Sequence, residues 1–399
     1  MTATKHPRDA VIVSAVRTAV GKARKGSLAD TRAEDLGRAV LRAAVDRVPG
    51  LNDADVEDVI IGCAMPEGEQ GLNFARIMTL YAGFPVTTPA VTVNRFCASG
   101  LQAIAYAAER VRLGEADVVL AGGVESMSHV PMTGFKLSPH PGIADSMPEA
   151  YMGMGHTAEE VARRYGISRE AQDAFAAESH RKAAQAIAEG RFRDEIVPLH
   201  IQREGIDDNG RPWKKPYTFE QDEGVRADTT PEVLAKLKPS FAREGTVTAG
   251  NASQMSDGAA AVVVMSRERA ERLGIRPLAQ FRAYCVAGVA PEVMGIGPIE
   301  AIPKALARAK LTLDQVRLFE LNEAFAAQCL PIIRELGIDP EIVNVNGGAI
   351  ALGHPLGCTG TKLSVSLIHE LRRRGGGTGI VSMCVGGGMG AAGVFSVEA

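Results

Sequence analysis

A chain of 399 residues, 46% apolar and 23% charged, exceeds the roughly 250–300 residues at which a single core stops growing, so two or three packed units are expected. A formal net charge of -3 argues against a nucleic-acid surface, and no apolar run reaches the roughly 18 residues of a membrane span, so a soluble cytoplasmic protein without membrane insertion is expected. Six scattered cysteines show neither zinc-site spacings nor a dense disulfide framework, which predicts reduced thiols and no metal set.

Met1–Asp9 carries no export pattern, and Ser396–Ala399 is not a peroxisomal address. Short β-branched runs then alternate with Ala-rich helical stretches: strand 11–16, helix 32–48, strand 56–61, strand 90–94, helix 101–113 and strand 118–121. That alternation predicts a parallel sheet with crossover helices. Residues 124–244, richer in Met, Pro, His and charge, read as an inserted lid with helices at 157–165 and 169–189. An apolar strand at 259–265 returns the chain to the first sheet.

A second series follows: 278–287 extended, 299–309 helical, 316–320 and 342–345 strands, 361–373 helical, and 380–384 leading to 391–397. In both series a strand enters a small-residue loop before a helix, and a later strand ends in glycines, so a duplicated α/β unit is inferred. The domains are read as 1–123 plus 245–275, an inserted loop domain 124–244, and 276–399.

Chemistry concentrates in the small-residue loops. Asn94-Arg95-Phe96-Cys97-Ala98-Ser99-Gly100 places a thiol between a strand and the start of a helix, where unpaired N–H groups and the helix dipole favour thiolate and can lower a cysteine pKa to about 3.5–7.5. Gly353-His354-Pro355 offers an imidazole and Cys384-Val385-Gly386-Gly387-Gly388 a second thiol. Cys63, Cys285 and Cys329 read as packing residues without polar partners, Cys358 as filler in a glycine loop, and the histidines other than His354 as surface or loop residues. Glu323 reads as an acid or as a residue fixing the loop around Asn322. Ala121-Gly122-Gly123 lacks the full G-x-G-x-x-G, so no nicotinamide site is expected.

These motifs, with Gly250-Asn251-Ala252-Ser253 and Asn322-Glu323-Ala324-Phe325-Ala326, resemble in order and nearly end to end the thiolase family of acyl-CoA acyltransferases. The resemblance implies an α/β thiolase fold, two duplicated halves in five αβαβα layers with an inserted loop domain. It implies Cys97 as acyl-accepting nucleophile, His354 as its activating imidazole, Cys384 as second acid/base, and Asn322 as holder of a water in one oxyanion site. The backbone N–H groups of Cys97 and Gly386 are candidate oxyanion donors.

For coenzyme A, a substrate rather than a resident cofactor, the resemblance implies contacts from Ser253 and Ala249, apolar walls from Met154, Phe241, Ala324 and Phe325, and Arg226 at the nucleotide end. Many short-chain biosynthetic relatives carry His where Gly153 stands here, a departure that favours the degradative branch; His156 does not take that role. The implied activity is reversible thiolytic cleavage of a 3-ketoacyl-CoA through a Cys97 acyl-enzyme, by a homodimer or homotetramer. The alternatives are an acetoacetyl-CoA thiolase condensing two acetyl-CoA and, from another class, a catalytically inactive thiolase-like lipid-binding protein.

Overall fold

The computed structural model describes residues 5–207 and 209–398; residues 1–4 and 399 of the segments read for targeting signals lie outside them. Nine long strands carry the architecture: β1 Ala10–Thr18, β2 Asp58–Gly62, β3 Ala90–Val93, β4 Val118–Ser126, β5 Ser256–Ser266, β6 Ala279–Gly288, β7 Val316–Leu321, β8 Gly377–Val385 and β9 Met389–Val397. They run in the order β7-β8-β9-β6-β1-β5-β4-β2-β3, with two short strands off that path.

The order repeats. In one half the first strand pairs the last, which pairs the strand before it, which pairs the second: β1-β5-β4-β2. The other half reads β6-β9-β8-β7 with the same parallel and antiparallel senses. The two halves of the sheet are joined where β1 and β6 pair antiparallel, at Val11–Gln280 and Ile12–Ala279.

Five layers result. Helix α1, Ala33–Asp46, buries Leu36, Val40, Leu41, Ala44 and Val45, a 3.6-period stripe, against the outside of the first sheet, beside α2, Phe74–Tyr81. Helices α3, Ser99–Leu113, and α8, Leu356–Arg373, lie between the sheets, and every residue of α8 from Leu356 to Leu371 is buried. A helix covered on all sides cannot be amphipathic in the ordinary way, and small residues let α3 and α8 approach each other. Helices α6, Gly297–Ala309, and α7, Ala326–Leu336, cover the second sheet. Between the halves, α4, Met154–Tyr165, and α5, Arg169–Ala188, match the two expected lid helices, and an antiparallel hairpin, Leu199–Ile206 with Pro212–Phe219, was not foreseen.

One expected strand is absent. Residues 342–345 form a single parallel bridge, Phe319 to Val343, instead of a counterpart to β3. Asn344 takes φ 46°, and its side chain replaces the ladder by accepting from Leu321 N at 2.8 Å and donating to Leu321 O at 2.8 Å. The β-branched run was real, but its side-chain amide does the pairing.

Among the described residues no helix is long and apolar enough to cross a membrane, and no group of three or more His, Cys, Asp or Glu could hold a metal ion.

Candidate active site

The first functional turn follows β3. Asn94 Oδ1 accepts from Phe96 N at 2.8 Å, and Ser99 Oγ accepts from Arg95 N at 2.8 Å while donating to Phe96 O at 2.7 Å. These bonds hold Phe96 at φ 42°, a conformation a bulky residue adopts only when its surroundings compel it. Cys97 sits in the resulting single helical turn, Phe96–Ala98, immediately before α3, and is 1% exposed.

The second turn is its counterpart in the other half. Gly353 has φ 94°, and a Cβ there would stand 2.4 Å from Ser256 Oγ, so glycine is required where the chain bends to present His354. His354 N donates to Gln254 O at 3.2 Å and to Ser256 Oγ at 3.1 Å, which ties the loop to the other half. Its Nδ1 lies 2.6 Å from Thr359 Oγ1, whose own hydrogen is donated to Pro355 O at 2.9 Å. Thr359 must therefore accept, and the imidazole is assigned as the Nδ1–H tautomer with Nε2 carrying the lone pair. Asn322 Nδ2 approaches that Nε2 at 3.3 Å.

Asn322 directly follows β7, donates its N–H to Ser382 O at 2.9 Å, and keeps a buried Oδ1 that has no protein partner among the described residues. The adjoining Glu323 is buried and accepts from Ser179 Oγ at 2.6 Å, Asn344 Nδ2 at 2.9 Å and Ile350 N at 3.2 Å. All its oxygens are engaged in joining α5 to two loops, so the loop-fixing reading of Glu323 holds over the acid.

Cys384 ends β8 at 0% exposure. Burial raises its thiol pKa first, and the charge of Cys97 raises it further, so the two sulfurs from opposite halves sense each other. Burial likewise pushes Cys97 up to about 12, against the opposing pull of two backbone N–H groups, its own and that of Gly386; the carboxylate of Glu125 adds to the rise. The thiolate expected from the helix terminus is thus overruled by desolvation. His354 is lowered to about 3 by burial and secondarily by the buried Lys362. The resting pair is a neutral thiol and a neutral base.

A cavity of about 410 Å³ opens beside this centre, lined mostly by apolar side chains. Met154, Phe241, Ala249, Ser253, Ala324 and Phe325, all assigned to coenzyme A contacts, lie in its wall together with His354. Cys97, Cys384, Asn322 and Gly386 are not in the wall. Arg226 is not there either: it is exposed, and its backbone N–H donates to His180 Nδ1 at 3.1 Å.

Several wall residues went unforeseen, among them Met127, Met132, Gln254 and Leu356. Their signal, a Met-rich lid and small-residue loops, gave no spacing from which to choose them. Other readings need correction. Cys63 Sγ contacts Glu125 Oε1 at 3.7 Å and Cys329 Sγ contacts Asn322 O at 3.5 Å, so neither lacks a polar partner. His180 and His369 are buried, 5% and 9% exposed, rather than surface residues.

A profile described as the thiolase N-terminal domain matches residues 10–268, and one described as the thiolase C-terminal domain matches residues 275–397. The chain is 60% identical over 390 residues to a Bacillus subtilis protein named 3-ketoacyl-CoA thiolase, covering 98% of this chain and 100% of that one. It is 48% identical to a Pseudomonas aeruginosa protein named acetyl-CoA acetyltransferase, covering 96% and 98%. Among solved structures, the dimeric peroxisomal thiolase of Saccharomyces cerevisiae superposes with a TM-score of 0.89 at 40% identity, covering 99% of each chain.

Proposed function

The chain belongs to the thiolase family, and on that premise we propose that it is an acetyl-CoA C-acyltransferase that reversibly cleaves 3-ketoacyl-CoA with coenzyme A, giving acetyl-CoA and a shortened acyl-CoA. The observation that carries this reading is that Cys97 and Cys384, from opposite halves, act electrostatically on each other, while the imidazole of His354 opens on an apolar cavity lined by the residues expected to hold coenzyme A. Cytoplasmic residence, a homodimeric or homotetrameric state, and the division into 1–123 plus 245–275, 124–244 and 276–399 belong to the same proposal, with the lid covering coenzyme A.

The chemistry follows from the neutral resting pair. A thiol and an imidazole with pKa values so far apart do not form a stable ion pair, so proton transfer from Cys97 Sγ to His354 Nε2 must accompany attack on the ketone carbon. The negative charge then passes to the carbonyl oxygen, and the N–H groups of Cys97 and Gly386 are the donors aimed at it, each worth about 10²–10³ in rate in comparable sites. Breaking the C2–C3 bond leaves its electron pair on C2, and Cys384 supplies the proton that completes acetyl-CoA. Coenzyme A enters, gives its thiol proton to the Cys384 thiolate and attacks the Cys97 thioester. Cys97 departs and recovers its proton from His354.

Asn322 suits the thioester oxygen of the acetyl-CoA enolate: its Nδ2 holds His354, and its unpartnered Oδ1 supports an ordered water. Gly153, in the place where short-chain relatives carry His, supports the degradative branch. Thiolysis of a graded series of 3-ketoacyl-CoA substrates tests the reading: turnover beyond acetoacetyl-CoA supports it, and confinement to acetoacetyl-CoA contradicts the degradative assignment.

A further inference from the structure

Cys97 and His354 correspond across the duplicated halves: each stands two residues before a central helix, α3 from Ser99 and α8 from Leu356. Glu125, near the end of β4, places a carboxylate between their two loops.

That carboxylate is 1% exposed and engaged on both oxygens. Glu125 Oε2 accepts from Ala64 N at 2.7 Å and Gly357 N at 2.8 Å. Oε1 accepts from Gln70 Nε2 at 2.7 Å and Met65 N at 3.3 Å, with the Cys63 thiol at 3.7 Å. Gly357 lies in the first turn of α8, two residues after Pro355, so an anion there satisfies an orphan N–H and meets the positive end of the helix dipole. The approach is close: a Cβ on Gly357 would stand 2.8 Å from Glu125 Oε2 and 2.7 Å from Cys63 Cα.

From the same carboxylate a second path reaches the nucleophile. Ala64, whose N–H Glu125 holds, accepts at its carbonyl from Asn94 Nδ2 at 3.0 Å, and Asn94 Oδ1 accepts from Phe96 N at 2.8 Å. Glu125 thus touches the helix start that follows His354 and, through one side chain, the strained turn that bears Cys97. Among charged groups and thiols, Glu125 on β4 and Cys384 on β8 act electrostatically with Cys97.

We propose that Glu125 is a positioning residue for thiolysis: its carboxylate fixes the His354 loop and the Cys97 turn in one register. The proposal rests on the acyltransferase reading above.

The experiment compares the full-length enzyme with E125Q, E125D, N94A and C97S, assayed for kcat and KM in thiolysis of acetoacetyl-CoA at fixed pH. E125Q keeps the reach and loses the charge; E125D keeps the charge and loses the reach. Both are expected to lower kcat by about tenfold or more with KM within about twofold, and N94A, at an exposed position, is expected to do the same without loss of fold. Retention of kcat within about twofold by N94A and by whichever Glu125 variants fold overturns the proposal. Activity in C97S sinks the acyltransferase mechanism instead, which separates the two failures.

Discussion

His354 Nδ1 lies 2.6 Å from Thr359 Oγ1, and because Thr359 spends its own hydrogen on Pro355 O, the threonine can only accept. One hydroxyl on the first turn of α8 therefore fixes the imidazole tautomer that leaves Nε2 free to take a proton. Replacing it by an isosteric apolar group removes the acceptor and lets the ring rotate or change tautomer. T359V is expected to lower kcat by about tenfold, the equivalent of one hydrogen bond of about 1.4 kcal/mol, while T359S restores most of it. Steady-state thiolysis with both variants checks this; equal loss in T359S contradicts it.

The neutral resting pair has a pH signature. A histidine free in solution titrates near 6.5, whereas His354 is held at about 3 by burial and Lys362. Its base form persists as pH falls through 6.5, so kcat/KM between pH 5.5 and 8 is expected to show no acid limb at about 6.5. A limb there that disappears in a His354 variant contradicts the neutral-pair account.

Acid stability follows by linkage. His354 and His180, lowered to about 3 and about 4, and His369, also lowered, stay neutral in the fold while the unfolded chain takes up protons near 6.5. Each contributes stability that is intact above pH 6.5 and is lost as pH falls toward the folded values. The unfolding midpoint in urea is expected to drop between pH 7 and 5, and to drop less in H180Q; an unchanged midpoint counts against buried neutral imidazoles.

Arg226 offers a contrast with the cavity wall. It is exposed and absent from the lining, so R226A is expected to change KM for coenzyme A by no more than about threefold, in keeping with the small worth of exposed ionic contacts. Phe241 stacks edge-on to Phe325, with centroids 6.1 Å apart, and to His156 at 6.2 Å, so F241A opens the wall itself and is expected to raise that KM by about tenfold or more. Equal effects of the two variants on KM contradict the placement of the cavity.

Local pattern made much of this fold legible. Strand, turn and helix around Cys97 and around His354 follow from short β-branched runs, glycines and Ala-rich segments, and the duplication shows in the order of those signals. What remained hidden depends on distant chain. The helix-terminus argument for a Cys97 thiolate was sound locally, but α8 and β8 bury the sulfur and reverse its outcome. The strand expected at 342–345 gave way because one asparagine side chain pairs with Leu321 in place of backbone. Thr359 and Glu125 carry no signal of their own in sequence: their partners are set by where α8 begins relative to β4.

Two cysteines with raised pKa values need distinct fates if the reaction is to divide between them. C384S is expected to abolish carbon–carbon bond cleavage, which needs a proton delivered to C2, and to slow acyl exchange between Cys97 and coenzyme A without abolishing it, because a thiol of coenzyme A ionises in part without Cys384 as base. Incubation with acetyl-CoA followed by exchange of free coenzyme A separates the half-reactions. Loss of exchange and cleavage together contradicts the division.

The central claim is covalent transfer through Cys97, and it is tested most directly by mixing the enzyme with acetyl-CoA, quenching in acid and measuring digested peptides by mass spectrometry. The account predicts one acetyl group on the peptide containing Cys97, discharged by added coenzyme A and absent in C97S. An adduct on Cys384 or another residue that turns over with coenzyme A, with the Cys97 peptide unmodified, would contradict it.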